Sequence, residues 1–265
     1  MQAWLSIERG DAPLIVSVPH AGQHIPTELE SAFVSPALAR ADADFHVDRL
    51  YAFARQLGAT VIRTAISRSI IDVNRDPSGA SLYPGQATTE LCPLTRFDGA
   101  PLYRDGGAPD GEEIARRRTL YFDPYHAALA AEIARLRARH ARIVLYEAHS
   151  ILSRVPRLFE GELPLFNIGS FNGASCDPVL TEAVAAACAS ESLVINGRFK
   201  GGWITRHYGA PAQGVHAIQM ELAMRAYLDE NGPWPPPWDE ALAAPLKAKL
   251  RNVLQACLQF TDSTI

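Results

Sequence analysis

Cysteine is scarce in this chain and scattered. Cys92, Cys176, Cys188 and Cys257 are far apart and form no C-x-x-C pair. Cys188 and Cys257 fall in alanine- and leucine-rich helical patterns and read as buried thiols, a usage that fits a reducing, cytoplasmic setting. Long apolar runs are also missing, since no segment approaches the ~20 residues of a membrane span. Met1 to Asp11 lacks the basic region and apolar core of a secretory leader. Positive charge has no focus. Lys and Arg number 25 against 29 Asp and Glu, for a net charge of −4, and they are dispersed. That argues against a nucleic-acid surface. Ser150 has no G-x-S-x-G surroundings, which disfavours a serine hydrolase. Internal repeats are absent. What remains is 265 residues, 48% hydrophobic and 20% charged, a composition that predicts one α/β domain over residues 1–265 with a sizeable core.

Two apolar runs organise that core. Ile143 to Ser150 reads as a strand that stops at a polar tip: the apolar run Ile143 to Tyr146, after a charged helical pattern, turns abruptly into Glu147, Ala148, His149 and Ser150. A continuous apolar run of this length suits a strand covered on both faces, as in a parallel sheet. The second run, Leu14 to Val18, passes through Pro19 to His20. Ligands of open α/β sheets lie beyond the carboxyl ends of such strands, so two strand-end histidines point to a shared metal. Each histidine taken singly is equally well a hydrogen-bonded core residue.

The remaining elements alternate. Thr27 reads as the N-cap of a short helix, with Glu28 and Glu30 in its first turn. An acid cluster, Asp42, Asp44 and His46, enters a helix from Val47 to Leu57 that stops at Gly58. Ala59 to Ala65 is a strand. Ser67 to Asp76 holds Arg68, Asp72, Asn74 and Arg75 and is either an ion-pair network or an anion site. Residues 77–111 form a long aperiodic loop of the kind that covers binding sites. Glu112 to Arg139 reads as a helix, or as two helices interrupted at Pro124. Phe166 to Gly169 and Ser192 to Asn196 are strands around a helix from Pro178 to Ala189. Gly197 to Arg206 mixes three glycines with basic residues, as a loop around a small anion does. Val215 to Glu221 alternates as a strand, a helix from Leu222 to Leu228 follows, and an amphipathic helix closes the chain.

The runs VPHAG, SRSIIDVNR, EAHS, FNGASCDP, GRFKGGWITRHYG and IQMEL, in that order between about Leu14 and Arg225, resemble the N-formylglutamate amidohydrolase family. The resemblance implies a mixed, largely parallel twisted sheet flanked by helices, of the zinc-carboxypeptidase-like (phosphorylase/hydrolase-like) class shared with aspartoacylases. It implies one Zn²⁺ at the carboxyl edge, with His20 and His149 as ligands. Those relatives place a glutamate three residues after the first histidine. Here that position is Gln23, a poor anionic ligand, so the expected third ligand is Asp44, with Asp42 and His46 in reserve. By the same resemblance Glu221 is the catalytic glutamate and Arg68 the group that stabilises the developing oxyanion. Asn74 and Arg75, joined by Arg206 or Arg198, hold substrate carboxylates.

The implied reaction is hydrolysis of N-formyl-L-glutamate to formate and L-glutamate, as in histidine degradation. The substrate is a small carboxylate-bearing molecule, neither membrane nor nucleic acid takes part, and the oligomeric state stays open, a monomer being compatible. Two other readings stand beside it. One is a zinc deacylase or carboxypeptidase-like hydrolase with a different acyl group. The other is a metal-free domain that binds an acidic metabolite; it needs Arg68, Asn74 and Arg75 but not His20, His149 and Glu221 together.

Overall fold

A computed structural model describes residues 3–262. Its strands are β1 (Leu5–Glu8), β2 (Leu14–Val18), β3 (Thr60–Thr64), β4 (Ile143–Ile151), β5 (Phe166–Gly169), β6 (Leu193–Ile195) and β7 (Val215–Ala223). They form one sheet in the order β1-β3-β2-β4-β7-β5-β6. β3, β2, β4 and β7 run parallel at the centre. β1 is antiparallel to β3 at one edge, while β5 is antiparallel to β7 and pairs with β6 at the other. This is the mixed, largely parallel sheet expected.

The two-residue period of a strand decides what each face meets. Leu14, Val16, Val144, Tyr146, Ile218 and Met220 point into one apolar layer. The helices α5 (Pro178–Ala187) and α7 (Glu240–Asp262) cover that layer with Leu180, Val184, Leu250, Val253 and Leu254. Ile15, Ile143, Leu145 and Ala217 point the other way, against Tyr125, Leu129 and Leu136 of α4 (Asp123–Arg137). All nine residues of β4 and all nine of β7 are buried, and for β4 this explains the apolar run with which it begins. No helix among the described residues is long and apolar enough to cross a membrane. The four cysteines are free and buried.

Several local expectations need correction. β4 runs one residue past the expected Ser150, to Ile151, and β7 runs past Glu221 to Ala223. Toward the carboxyl edge only alternate positions change character: Ala148 and Leu222 still face the core while Glu147, His149 and Glu221 do not. The helix expected from Leu222 is a 3₁₀ turn, Met224–Ala226. α1 (Thr27–Glu30) has Pro26, not Thr27, at its N-cap position and lacks a side-chain cap. α2 (Val47–Leu50) gives way to a 3₁₀ segment at Ala52–Leu57, which does stop at a left-handed Gly58. α3 (Gly111–Arg117) is joined to α4 by a π turn at Arg118–Phe122. Pro124 is therefore no breaker. It sits in the first turn of α4, where its missing N–H costs nothing. Inside the basic Gly197–Arg206 run lies an unanticipated helix, α6 (Trp203–Tyr208).

Candidate active site

The face of the sheet that carries α4 turns polar toward its carboxyl edge. Along β4 the residues on this face are Ile143, Leu145, Glu147 and His149; along β7 they are Val215, Ala217, Gln219 and Glu221. Parallel register sets Glu147 beside Gln219 and His149 beside Glu221. His20 arrives from the end of β2. The Asp44 loop is pinned to it, since the Asp44 N–H donates to the His20 carbonyl at 3.0 Å and the Ser150 N–H donates to Asp44 Oδ2 at 3.1 Å. His20, Asp44 and His149, all buried, offer three ligand atoms within 4.8 Å of one another and could hold one metal ion.

Each histidine is held by a carboxylate at its far nitrogen. His20 Nε2 lies 2.7 Å from Asp72 Oδ1, and His149 Nε2 lies 2.7 Å from Glu147 Oε1. A ring that donates from Nε2 presents the lone pair of Nδ1, the arrangement found behind metal-bound histidines. His20 Nδ1 is buried and has no hydrogen-bond partner, a costly state unless a ligand fills it. His149 Nδ1 points to Asp44 Oδ2 at 3.1 Å. Asp44, Asp72, Glu147 and Glu221 are four buried carboxyl groups gathered here with the guanidiniums of Arg68 and Arg75.

The electrostatics follow. Burial, then Arg68, hold His20 below its ordinary value, so it stays neutral. Burial also opposes charge on His149, but Glu147 and Asp44 outweigh it and lift the imidazole to about 10. Asp72 stays ionised far below the usual carboxylate range: burial resists, and Arg75, His20 and Arg68 prevail. Burial, reinforced by Asp44 and Glu147, raises Glu221 to about 8 against the pull of His149 and Arg68. Gln219 steadies that carboxylate, donating to Glu221 Oε2 at 3.3 Å.

The other expected residues divide. Arg68 lies beside the metal group, bonded to Asp72 Oδ2 at 2.8 Å and Asp44 Oδ1 at 3.4 Å, with its guanidinium over Phe97. One cleft of about 590 Å³, open to solvent, is lined by His20, His149, Glu221, Arg68, Arg75 and Arg198. Asn74 also reaches it, yet its amide has another partner. Its Oδ1 accepts the Ile204 N–H of α6 at 2.9 Å. Gly202 makes this contact possible, because a Cβ there would lie 2.3 Å from the Asn74 amide.

Arg206 does not line the cleft; it bonds the Gly201 and Leu82 carbonyls. The reserves are engaged elsewhere. Asp42 accepts the Phe97 N–H at 2.8 Å, and His46 Nε2 faces the Pro236 carbonyl. The Gln23 carbonyl serves Arg40. Asp72 and Gln219 were not singled out as functional, and Glu147 only as part of a polar tip. Its place two residues before His149 on one strand face was the available signal; Asp72 had none, its partner lying 52 residues away.

A family model described as N-formylglutamate amidohydrolase matches residues 12–228. The chain is 47% identical over 261 residues to N-formylglutamate deformylase of Pseudomonas putida, covering 97% of each, and equally identical to that of Pseudomonas aeruginosa. Among solved structures it is similar to N-formylglutamate amidohydrolase from Ralstonia eutropha JMP134, with a TM-score of 0.78 and 26% identity over 98% of this chain and 97% of that one. It shares the fold of gene product Atu2144 from Agrobacterium tumefaciens, with a TM-score of 0.73 at 20% identity over 98% and 96% of the two chains. The chain therefore belongs to the N-formylglutamate amidohydrolase family.

Proposed function

We propose that the protein hydrolyses N-formyl-L-glutamate to formate and L-glutamate with one Zn²⁺ held by His20, Asp44 and His149. The observation that carries this reading is the convergence of those three ligand atoms, one an orphaned buried Nδ1, beside Glu221 on the neighbouring strand. Two imidazoles and a carboxylate suit Zn²⁺, which when bound brings the pKa of a water toward ~7 and polarises a carbonyl. Glu221 takes the proton of the attacking water and later delivers it to the departing amine. Arg68 stabilises the negative charge that develops on the formyl oxygen, and Phe97 covers its guanidinium. The C–N bond of the formamide breaks, and water supplies the hydroxyl of formate and the proton of the amine. Arg75 and Arg198 meet the substrate carboxylates, since a planar guanidinium matches a carboxylate. We read the chain as one catalytic domain working in a reducing cytoplasm, in keeping with its four free, buried thiols.

The test is turnover of N-formyl-L-glutamate against N-acetyl-L-aspartate by purified protein, alongside metal analysis. Formate release from the first substrate, abolished by chelation and restored by Zn²⁺, is the expected result. Undiminished turnover in protein shown to be metal-free would overturn the metal assignment; absence of turnover by the metal-loaded protein would overturn the substrate.

A further inference from the structure

Four guanidiniums lie in or around the cleft, and their partners differ. Arg68 is bonded to Asp72 and Asp44, and Arg75 has Asp72 at 3.6 Å. Arg198 and Arg206 have no carboxylate partner among the described residues and bond only to backbone carbonyls. Of these two, only Arg198 lines the cleft with His20, His149 and Glu221. A half-buried cation without a counter-ion is poorly solvated and poorly neutralised, so it favours an anion delivered by a ligand. A guanidinium carries five N–H groups. Arg198 spends one on the Leu158 carbonyl and one on the Ala87 carbonyl, both at 2.7 Å. The rest are free for a carboxylate.

Tyr83 holds this arrangement. Its ring faces the guanidinium of Arg198 at 5.1 Å and that of Arg206 at 4.8 Å. Its hydroxyl accepts the Lys200 N–H and donates to the Gly201 carbonyl, each at 3.1 Å. Tyr83 thus ties the 77–111 loop to the loop that carries Arg198. An aromatic face beneath a guanidinium fixes its plane without neutralising its charge, as an acid would.

Position along the cleft separates the roles of the two arginines. Arg75 approaches Asp72, which is bonded to His20, so it lies near the metal group. Arg198 is anchored to Ala87 and Leu158 in the loops. In an N-formyl amino acid the α-carboxylate is one carbon from the reacting nitrogen, and a side-chain carboxylate lies farther out. We propose that Arg198 receives the side-chain carboxylate of the substrate, that Tyr83 is the positioning residue that orients it, and that this pair sets the preference for a dicarboxylate. The proposal rests on the N-formyl amino acid reading given above.

The test compares kcat/KM on N-formyl-L-glutamate and N-formyl-L-glutamine, which differ only in the side-chain charge. Variants are Arg198→Met, with Arg198→Gln as a second replacement, Tyr83→Leu and Tyr83→Phe, each checked for metal content and folded state. The parent prefers the acid. In Arg198→Met the acid-over-amide ratio falls by about 30-fold or more, with the loss on the acid carried by KM more than by kcat. Tyr83→Leu lowers the ratio by roughly 10-fold, and Tyr83→Phe, which keeps the ring, recovers most of it. If both Arg198 variants retain the parent's ratio, or the parent shows no preference for the acid, the inference fails although the enzyme still works on N-formylglutamate. Absence of turnover by the metal-loaded parent instead removes the functional reading itself.

Discussion

The two ends of the cleft are built on opposite plans. At the metal end, His149 and Glu221 stand on central strands, His20 follows directly on a third, and each histidine is backed by a buried acid. At the carboxylate end, Arg198 sits in a loop, held by carbonyls and an aromatic face, with no carboxylate partner among the described residues. The first plan fixes ligand atoms to the sheet among buried carboxyl groups, which suits a cation. The second leaves positive charge uncompensated, which draws an anion. One cleft therefore offers, at one end, a group that could hold a metal ion and, at the other, the guanidinium proposed above to receive a carboxylate.

Substitutions at the metal end break this contrast most sharply. Glu221→Gln keeps the shape of the side chain but cannot accept a proton, so kcat should fall by about 10²–10⁴-fold while metal remains bound. Steady-state kinetics with metal analysis decides it; near-normal kcat in the loaded variant would remove Glu221 from the mechanism. Asp72→Asn and Glu147→Gln should each weaken metal binding by about 10–100-fold, read by competition with a chromophoric chelator, and leave the acid-over-amide ratio unchanged. A shift in that ratio would show that the two ends are not independent.

The smallest effect concerns pH. Burial opposes charge on His149, but Glu147 and Asp44 outweigh it and raise the imidazole to about 10. A cation must displace that proton at neutral pH. Metal affinity should therefore rise about tenfold per pH unit below about 10, with about one proton released per ion bound. Proton release measured by calorimetry in buffers of different ionisation enthalpy checks this. A pH-independent affinity between pH 6 and 8 would mean that the His149 proton is not in competition with the metal.

How much of this was legible without coordinates depends on the range of each interaction. Strands β2 and β4 were readable because burial on both faces needs continuous apolar sequence, β7 because its residues alternate, and the helix of α5 because its alanine and valine period is local. His20, His149 and Glu221 were legible as polar residues interrupting apolar runs. β1, four half-buried edge residues, left too weak a pattern to register. α6 was hidden because its capping acceptor is not local: Asn74 Oδ1 takes the Ile204 N–H across 130 residues. The same distance in sequence concealed the partnership of Asp72 with His20 and gave Asn74 a substrate role on motif grounds, while the structure shows its amide engaged by α6.

What the sequence alone determined is the alternation that builds a sheet with two apolar layers, and the placing of imidazoles and an acid at its carboxyl edge. Both follow from the short-range periodicity of the strand and from which residue types water will not release. What only the tertiary structure decided is which of several chemically equivalent groups does what. Asp44 rather than Asp42 or His46 faces the histidines because its loop is bonded to the His20 carbonyl and the Ser150 N–H. Arg198 rather than Arg206 reaches the cleft because α6 turns the latter toward the Leu82 and Gly201 carbonyls. Residues of the same type are indistinguishable in a sequence; charge acts through space, and only the packing of distant segments sets those distances.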